Sequence, residues 1–390
     1  MKFLKKSPWG FIILIGIVSL FSDITYEGAR SINGQFLSLL GASATIVGLV
    51  AGLGELVGYS LRLVSGILAD KSKKYWFLTF IGYSINLLAV PALALAGNWV
   101  IAAILIVLER VGKAIRVPAR DVMISQASSS IGQGKGFGVH EALDQIGAIT
   151  GPLFVSLVFI FSRDYHQSYT LLLIPALLAL TSLTIARFYF PEPEKMETTN
   201  NDNVIPSKKF YWLYLLAISL VAAGFADFPL IAFHFNKTGQ VLTQYIPLMY
   251  VLAMAVDAIA ALILGPLFDK YGIKILIFST IISLLFAPFV FYGNFITAII
   301  GMICWGIGMG SQESIIRAQL AKILPKNKRG KGFGIFNTVF GISWFIGSFI
   351  MGFLYDKEII LVVIFSVVIQ MISLPIFIKI KDLKTTIQEL

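Results

Sequence analysis

GILADKSKK, residues 66–74, returns as GPLFDKYGIK at 265–274, an offset of 199, and GKGFG at 134–138 returns unchanged at 330–334, an offset of 196. A period near half of a 390-residue chain predicts one structural plan built twice.

Working outward from these repeats, the chain is 57% hydrophobic and only 13% charged, about half the ~25% charge of a soluble domain. A bilayer is the solvent such a composition fits. Twelve apolar stretches are long enough to cross hydrocarbon as helices, each needing about 20 residues. They lie at 9–38, 43–68, 75–96, 98–120, 137–161, 168–190, 210–235, 242–267, 273–293, 295–319, 332–354 and 359–379. These runs are too long and too evenly apolar for barrel strands, so the expected fold class is an all-α integral membrane protein with two pseudo-symmetric six-helix bundles. The expected division is 1–190 for the first bundle, 191–208 for a polar cytosolic linker and 209–390 for the second bundle. Short connections such as AGN at 96–98 force antiparallel neighbours.

The net charge of +10 raises nucleic acid as a partner, and its distribution removes that reading. Segments on one side of the predicted membrane carry 21 Lys and Arg, whereas the opposite loops carry three, Arg163, Lys237 and Lys357. That asymmetry is the positive-inside pattern and predicts a multi-pass protein of the cytoplasmic membrane with both termini in the cytosol. The opening MKFLKKSPWGFIILIGIVSLF has the basic and apolar regions of a signal peptide. No small-x-small cleavage site follows it, so it is expected to remain as the first span. Cys304 is the single cysteine, which excludes a disulfide framework.

These features resemble the major facilitator superfamily of secondary transporters, over essentially the whole chain. The family's loop hallmark after the second span is matched by Gly66, Leu68, Ala69, Asp70, Lys71 and Lys74, with Lys73 where the family has glycine. The second copy matches with Gly265, Asp269, Lys270, Gly272 and Lys274. The resemblance implies that Asp70 and Asp269 brace gating loops. It also places Arg110, in LERVGKA, where the family's fourth span has an arginine tied to proton movement. In the fifth span, GAITGPLFV is similar to an antiporter motif through Gly147, Gly151 and Pro152, with Val155 in place of the final glycine. Read from the residues alone, Gly147 and Gly151 are equally well explained as a close helix contact.

The stretch LFSDITYEGARSING at 20–34 puts Asp23, Glu27 and Arg30 inside an oily helix. A charge at a helix centre costs roughly 2.5–3.5 kcal/mol on insertion scales, so these groups are expected to face polar surroundings. At 100° per residue they fall within an arc of about 60°, shared by Ser19 and Tyr26. Glu55, Tyr59 and Arg62 share a face of the second span, and Glu109, Lys113, Arg116 and Arg120 a face of the fourth, with Arg110 about 100° away. His140 and Asp144 share a face of the fifth, with Glu141 adjoining; the second half offers Asp227, His234, Asp257, Glu313 and Arg317. The expectation is a substrate and proton-coupling cavity lined mostly by the first half. The competing reading makes Glu55 with Arg62, and Glu313 with Arg317, structural ion pairs, and lets Arg116 and Arg120 snorkel to the cytosolic edge.

The function expected is secondary transport of a small organic solute by alternating access, proton-coupled, with export by antiport favoured. The alternative is uptake by symport or facilitation of an anionic metabolite, drawn by the four cations of the fourth span. A more remote alternative is a receptor or scaffold on a transporter fold. HEALD at 140–144 misses the zinc pattern His-Glu-x-x-His by one residue, and three histidines in the chain do not supply the usual ligand set. Neither enzymatic activity nor a metal or other cofactor is expected. GQGKGFG lacks a Gly-Lys-Ser/Thr ending, which argues against ATP. The expected partners are the solute, a proton and the bilayer, without nucleic acid, and the chain is expected to act as a monomer.

Overall fold

The computed structural model describes residues 7–128, 130–131, 133–162, 164–193, 208–316 and 329–388. Most of the expected linker, the segment holding Arg317, and the side chains of Asp70 and Asp269 lie outside the described residues. Among the described residues the chain is helical without strands: α1 (Pro8–Leu39), α2 (Ala44–Ser72), α3 (Tyr75–Ala92), α4 (Trp99–Ser128), α5 (Gln133–Ser162), α6 (Tyr165–Leu171), α7 (Leu173–Tyr189), α8 (Lys208–Ala223), α9 (Phe228–Thr238), α10 (Ile246–Tyr271), α11 (Ile273–Ser283), α12 (Phe286–Phe291), α13 (Phe295–Gly310) followed by a π turn (Ser311–Ile316), α14 (Arg329–Lys357) and α15 (Ile359–Gln388). Among the described residues, eleven helical segments, some joining two of these helices, are long and apolar enough to cross a membrane. α4 is 30 residues long and is not among them, since Glu109, Arg110, Lys113 and Arg116 already fall within its first turns.

Two compact units emerge. One comprises Met1–Asn33 with Val57–Asn201, the other Gly34–Leu56 with Asp202–Leu390. In the first unit, Phe11, Ile15 and Val18 of α1 join Trp76, Tyr83 and Leu87 of α3, Met123 and Ile124 of α4, and Ala179 and Leu183 of α7 in a continuous apolar core. Its helices approach closely where side chains are missing. A Cβ on Gly151 would lie 2.6 Å from the Ile24 carbonyl and 2.9 Å from the Gly28 nitrogen, and one on Gly147 would strike the Leu20 carbonyl and come 2.8 Å from the Asp23 Cβ. α1 and α5 therefore cross nearly backbone to backbone, the packing that small residues four apart permit. Gly82 and Gly112 do the same for α3 and α4, with a Cβ on Gly82 lying 2.6 Å from that of Arg116.

In the second unit the seventh span breaks at 224–227 into α8 and α9, where the hydropathy pattern predicts one continuous helix. The local sequence supplies the reason. Asp227 caps α9 by accepting from the Phe228 nitrogen at 2.9 Å, and Pro229 sits in the first turn, where its missing N–H is harmless. A break in apolar surroundings frees carbonyls that must find donors. Ser366 Oγ and Gln370 Nε2 donate to the Gly224 carbonyl at 2.6 and 3.1 Å, and Trp305 Nε1 to the Ala226 carbonyl at 2.8 Å. Around this point the core is aromatic: Phe225 stacks on Trp305 at 5.3 Å and packs against Phe286 and Trp344, while Phe228 meets Tyr250 at 4.4 Å.

The segment 34–56 also packs within this second unit. A Cβ on Gly52 would lie 2.9 Å from the Phe345 carbonyl, and Gly48 lies against Ser348. At the start of α2, the Ala44 and Thr45 nitrogens donate to the Asp356 carboxylate at 3.1 and 2.8 Å, and the Thr45 hydroxyl donates to it as well. A side chain from the end of α14 thus caps a helix distant in sequence.

The repeated turn differs between its copies. Gly272 has φ +62 and open space around it, a backbone region glycine enters freely. Lys73, its counterpart, is held at φ 52, where a Cβ is unfavourable.

Candidate functional site

The expected charges of α1 are buried in the protein, as their cost in lipid demands: Asp23 is 5% exposed, Glu27 7% and Arg30 8%. Glu27 and Arg30 are 3.9 Å apart on adjacent turns. Because α5 crosses α1 without side chains between them, Asp144 and Asp23 are brought into each other's field, and Lys113, Tyr26 and Glu27 complete the surroundings of Asp23. Asp23 Oδ1 and Asp144 Oδ1 are both buried without a hydrogen-bond partner among the described residues.

α4 presents its cations to aromatic rings. Lys113 Nζ lies 4.0 Å from the centre of the Tyr26 ring. Arg116 is fully buried, with its guanidinium 4.2 Å from the Tyr83 ring centre and 5.7 Å from that of Tyr26. Its Nε and both terminal nitrogens make no hydrogen bond among the described residues. The snorkelling alternative predicts a head group in water, which the burial of Arg116 and of Arg120 contradicts. Arg120 instead pairs with Asp121 at 2.9 Å and donates to Ser19 Oγ at 3.1 Å.

Ser19 is a hub. Its oxygen also lies 2.8 Å from His140 Nε2 and 3.4 Å from the Tyr83 hydroxyl. Ser19 Oγ accepts from Arg120, and its one proton and remaining lone pair serve His140 Nε2 and the Tyr83 hydroxyl. That engagement bears on the metal question. His140, Glu141 and Asp144 each bring a ligand atom within 4.8 Å of the others, yet the imidazole nitrogen nearest Ser19 is used within the protein, and Gln145 Nε2 donates to Glu141 at 3.4 Å.

Other expected site residues sit in different settings. Glu109 pairs with its neighbour Arg110 at 3.2 Å and accepts from Asn86 Nδ2 at 2.6 Å, an arrangement that fixes α3 against α4. Arg62 lies over the Tyr59 ring at 4.9 Å, while the buried Glu55 belongs to the second unit. Asp227 is a helix cap, and His234 is held by the Tyr355 hydroxyl at 2.9 Å and Gln240 at 3.2 Å. Gly66 and Gly265 have room around them, whereas Gly147 and Gly151 do not, and Pro152 follows within α5. Lys71, Lys74, Lys270 and Lys274 are exposed at the repeated turns. Tyr83 and Asn86 are absent from the sequence-based site. Hydropathy treats a tyrosine in a span as an ordinary apolar residue, and only its phase opposite α4 would have revealed it.

Comparison with known proteins agrees with this architecture. The family model described as Major Facilitator Superfamily matches residues 10–348 and 229–380. An uncharacterized protein of Mycobacterium tuberculosis is 38% identical over 378 residues, covering 94% of this chain and 92% of its own length. An uncharacterized MFS-type transporter of Methanocaldococcus jannaschii is 28% identical over 379 residues, covering 93% of this chain and 92% of its own. Among solved structures, the nucleoside transporter NupG superposes with a TM-score of 0.72 at 14% identity, over 96% of this chain and 98% of that one. A bacterial homolog of the human lysosomal transporter Spinster, in an inward-facing and occupied conformation, gives 0.73 at 12%, over 95% and 96%. At such identities the likeness concerns the fold, and the family rests on the sequence match. This chain is a multi-pass membrane protein that belongs to the major facilitator superfamily, a family of secondary transporters.

Proposed function

We propose that the protein moves a small organic solute across the cytoplasmic membrane by alternating access of its two six-helix halves, 1–190 and 209–390, coupled to protons and running as an antiporter in the direction of export. Both termini are in the cytosol, and the working unit is a monomer. The observation that carries the coupling is the pair Asp23 and Asp144, each with a buried oxygen that makes no hydrogen bond among the described residues, beside Lys113. Burial opposes the charged form of a carboxylate and an adjacent ammonium supports it. A change in the spacing of α1, α4 and α5 therefore decides whether a proton is held, which is how proton binding and conformation become linked. Export is supported by the GAITGP segment of α5, similar to the antiporter motif up to Val155.

The test is reconstitution into sealed vesicles with an imposed pH gradient, screening organic anions, organic cations, sugars and lipophilic drugs. An inward proton gradient is expected to drive solute outward, and Asp23→Asn or Glu27→Gln to abolish the drive. Gradient-driven flux that survives both substitutions overturns the coupling. A second reading, uptake of an anionic metabolite by symport or facilitation, draws on the cations Arg110, Lys113, Arg116 and Arg120 of α4. Accumulation inside vesicles with protons moving the same way would replace export by that reading.

A further inference from the structure

We propose that Arg116, with Lys113 beside it and the rings of Tyr26 and Tyr83 against it, binds an oxyanion group of the transported solute, a carboxylate or a phosphate monoester. The inference rests on the transport reading and assigns the chemical class of its cargo.

Three observations converge on this position. Arg116 has zero exposure, and none of its three guanidinium nitrogens finds an acceptor among the described residues. A buried guanidinium stays charged and presents its donors in a planar fork suited to two oxygens of one anion. Its guanidinium carbon lies over the Tyr83 and Tyr26 rings, while its N–H groups, the donors an oxyanion uses, make no hydrogen bond among the described residues.

The acids that might neutralise it are largely occupied elsewhere. Glu109 is taken by Arg110 and Asn86, Asp121 by Arg120, and Glu27 lies at Arg30. Asp23, an acid near Arg116, also faces Lys113 and is opposed by Asp144. Lys113 makes no ion pair among the described residues and sits over Tyr26. Two cations on successive turns of one helix, three and four residues being the spacing of helical neighbours, thus flank a phenol ring. Burying a guanidinium whose donors find no acceptor among the described residues is costly, and that cost is relieved when a solute brings an oxyanion to them. The backbone is shaped for this placement, because Gly82 has no Cβ to push Arg116 away from α3. Since Arg116 is closed to solvent, the solute reaches it only as the surrounding helices part, so occupancy and conformation are linked.

The experiment is equilibrium binding to the purified full-length protein in lipid nanodiscs, with benzoate and inorganic phosphate as probes and benzamide as the neutral match for benzoate. Saturable binding of benzoate, phosphate or both is expected, with benzamide at background. Benzoate alone identifies a carboxylate site and phosphate alone a phosphate site. Arg116→Gln is expected to weaken binding at least tenfold, and Arg116→Lys and Lys113→Gln severalfold. Arg187→Gln, at an exposed arginine stacked on Trp76, is expected to match the unsubstituted protein. Should Arg116→Gln fail to give monodisperse protein, the other two substitutions at the site decide. Neither anion binding above benzamide, or equal binding in the Arg116 and Arg187 variants, overturns the proposal. Gradient-driven flux of neutral or cationic solutes without anion binding sinks this inference and leaves transport standing, whereas anion binding with no flux of any solute overturns the transport reading and, with it, the assignment of the anion as cargo.

Discussion

The interiors of the two units solve the same problem with opposite means. In the first, α1, α4 and α5 bring carboxylates, an ammonium and guanidinium groups together, and several polar atoms are left without partners, among them Asp23 Oδ1, Asp144 Oδ1 and the nitrogens of Arg116. In the second, the core around the broken seventh span is built of Phe225, Phe228, Tyr250, Trp305 and Trp344, and the carbonyls the break exposes are satisfied by Ser366, Gln370 and Trp305, although Gln312 Oε1, Trp344 Nε1 and Ser348 Oγ make no hydrogen bond among the described residues. Satisfied polar networks rigidify, and unsatisfied ones mark places where a ligand, a proton or another conformation is expected. The interior described for the first unit is thus built around charge and that of the second around aromatic rings, within one repeated sequence plan.

Substitutions can break or sharpen that contrast. Phe225→Ala removes the ring on which three aromatic neighbours pack and should destabilise the protein by about 3–5 kcal/mol, read as a lowered Tm in detergent. Proton coupling in whatever folds should be intact; a coupling defect with an unchanged Tm would give the aromatic wall a direct share in the chemistry. At the α1–α5 crossing, Gly151→Leu should cost about 1–3 kcal/mol through overpacking, whereas Gly265→Ala, with nothing within 4 Å of its Cβ, should be nearly neutral in the same melt. Equal effects would show that the crossing is looser than its geometry.

Asp23→Asn should lower pH-gradient-driven flux at least tenfold, equivalent to about 1.4 kcal/mol, while downhill flux persists. Asp227→Asn in the second unit should alter coupling less than twofold, since asparagine caps a helix about as well as aspartate. A comparable coupling loss at Asp227 would erase the division between the halves. At the repeated turn, Lys73→Gly should raise stability by about 0.5–1 kcal/mol as the left-handed backbone loses its Cβ penalty. The reverse change, Gly272→Ala, should lower it by a similar amount.

Much of this was legible in the sequence, because hydropathy and helical phase are local. The twofold plan follows from the GILADKSKK and GPLFDKYGIK repeats, and the polar face of α1 from the phase of Asp23, Glu27 and Arg30. The break at 224–227 was written in the sequence too, in the order Gly, Asp, Pro within GFADFP, but an apolar average over the span conceals it. What spacing could not yield was which charges are already spent. Glu109 and Arg110 pair with each other, and Asp227 caps a helix, whereas Arg116 lacks acceptors among the described residues; that sorting depends on Asn86, Tyr83 and Ser19, whose relevance exists only once helices are packed. The tolerance of Lys73 for a backbone better suited to glycine was equally invisible, since the motif alone shows a mismatch without its φ of 52.

The glycine crossing of α1 and α5 carries one more implication. The gap between two acidic groups is there governed by residues that possess no side chain at all, so the electrostatics of this helix pair can be retuned without touching a single ionisable position. Adding one methyl group at 147 would press directly on the Leu20 carbonyl and the Asp23 Cβ. The separation of Asp23 and Asp144 is thus open to change through the thickness of the spacer alone, with every acid and base kept in place.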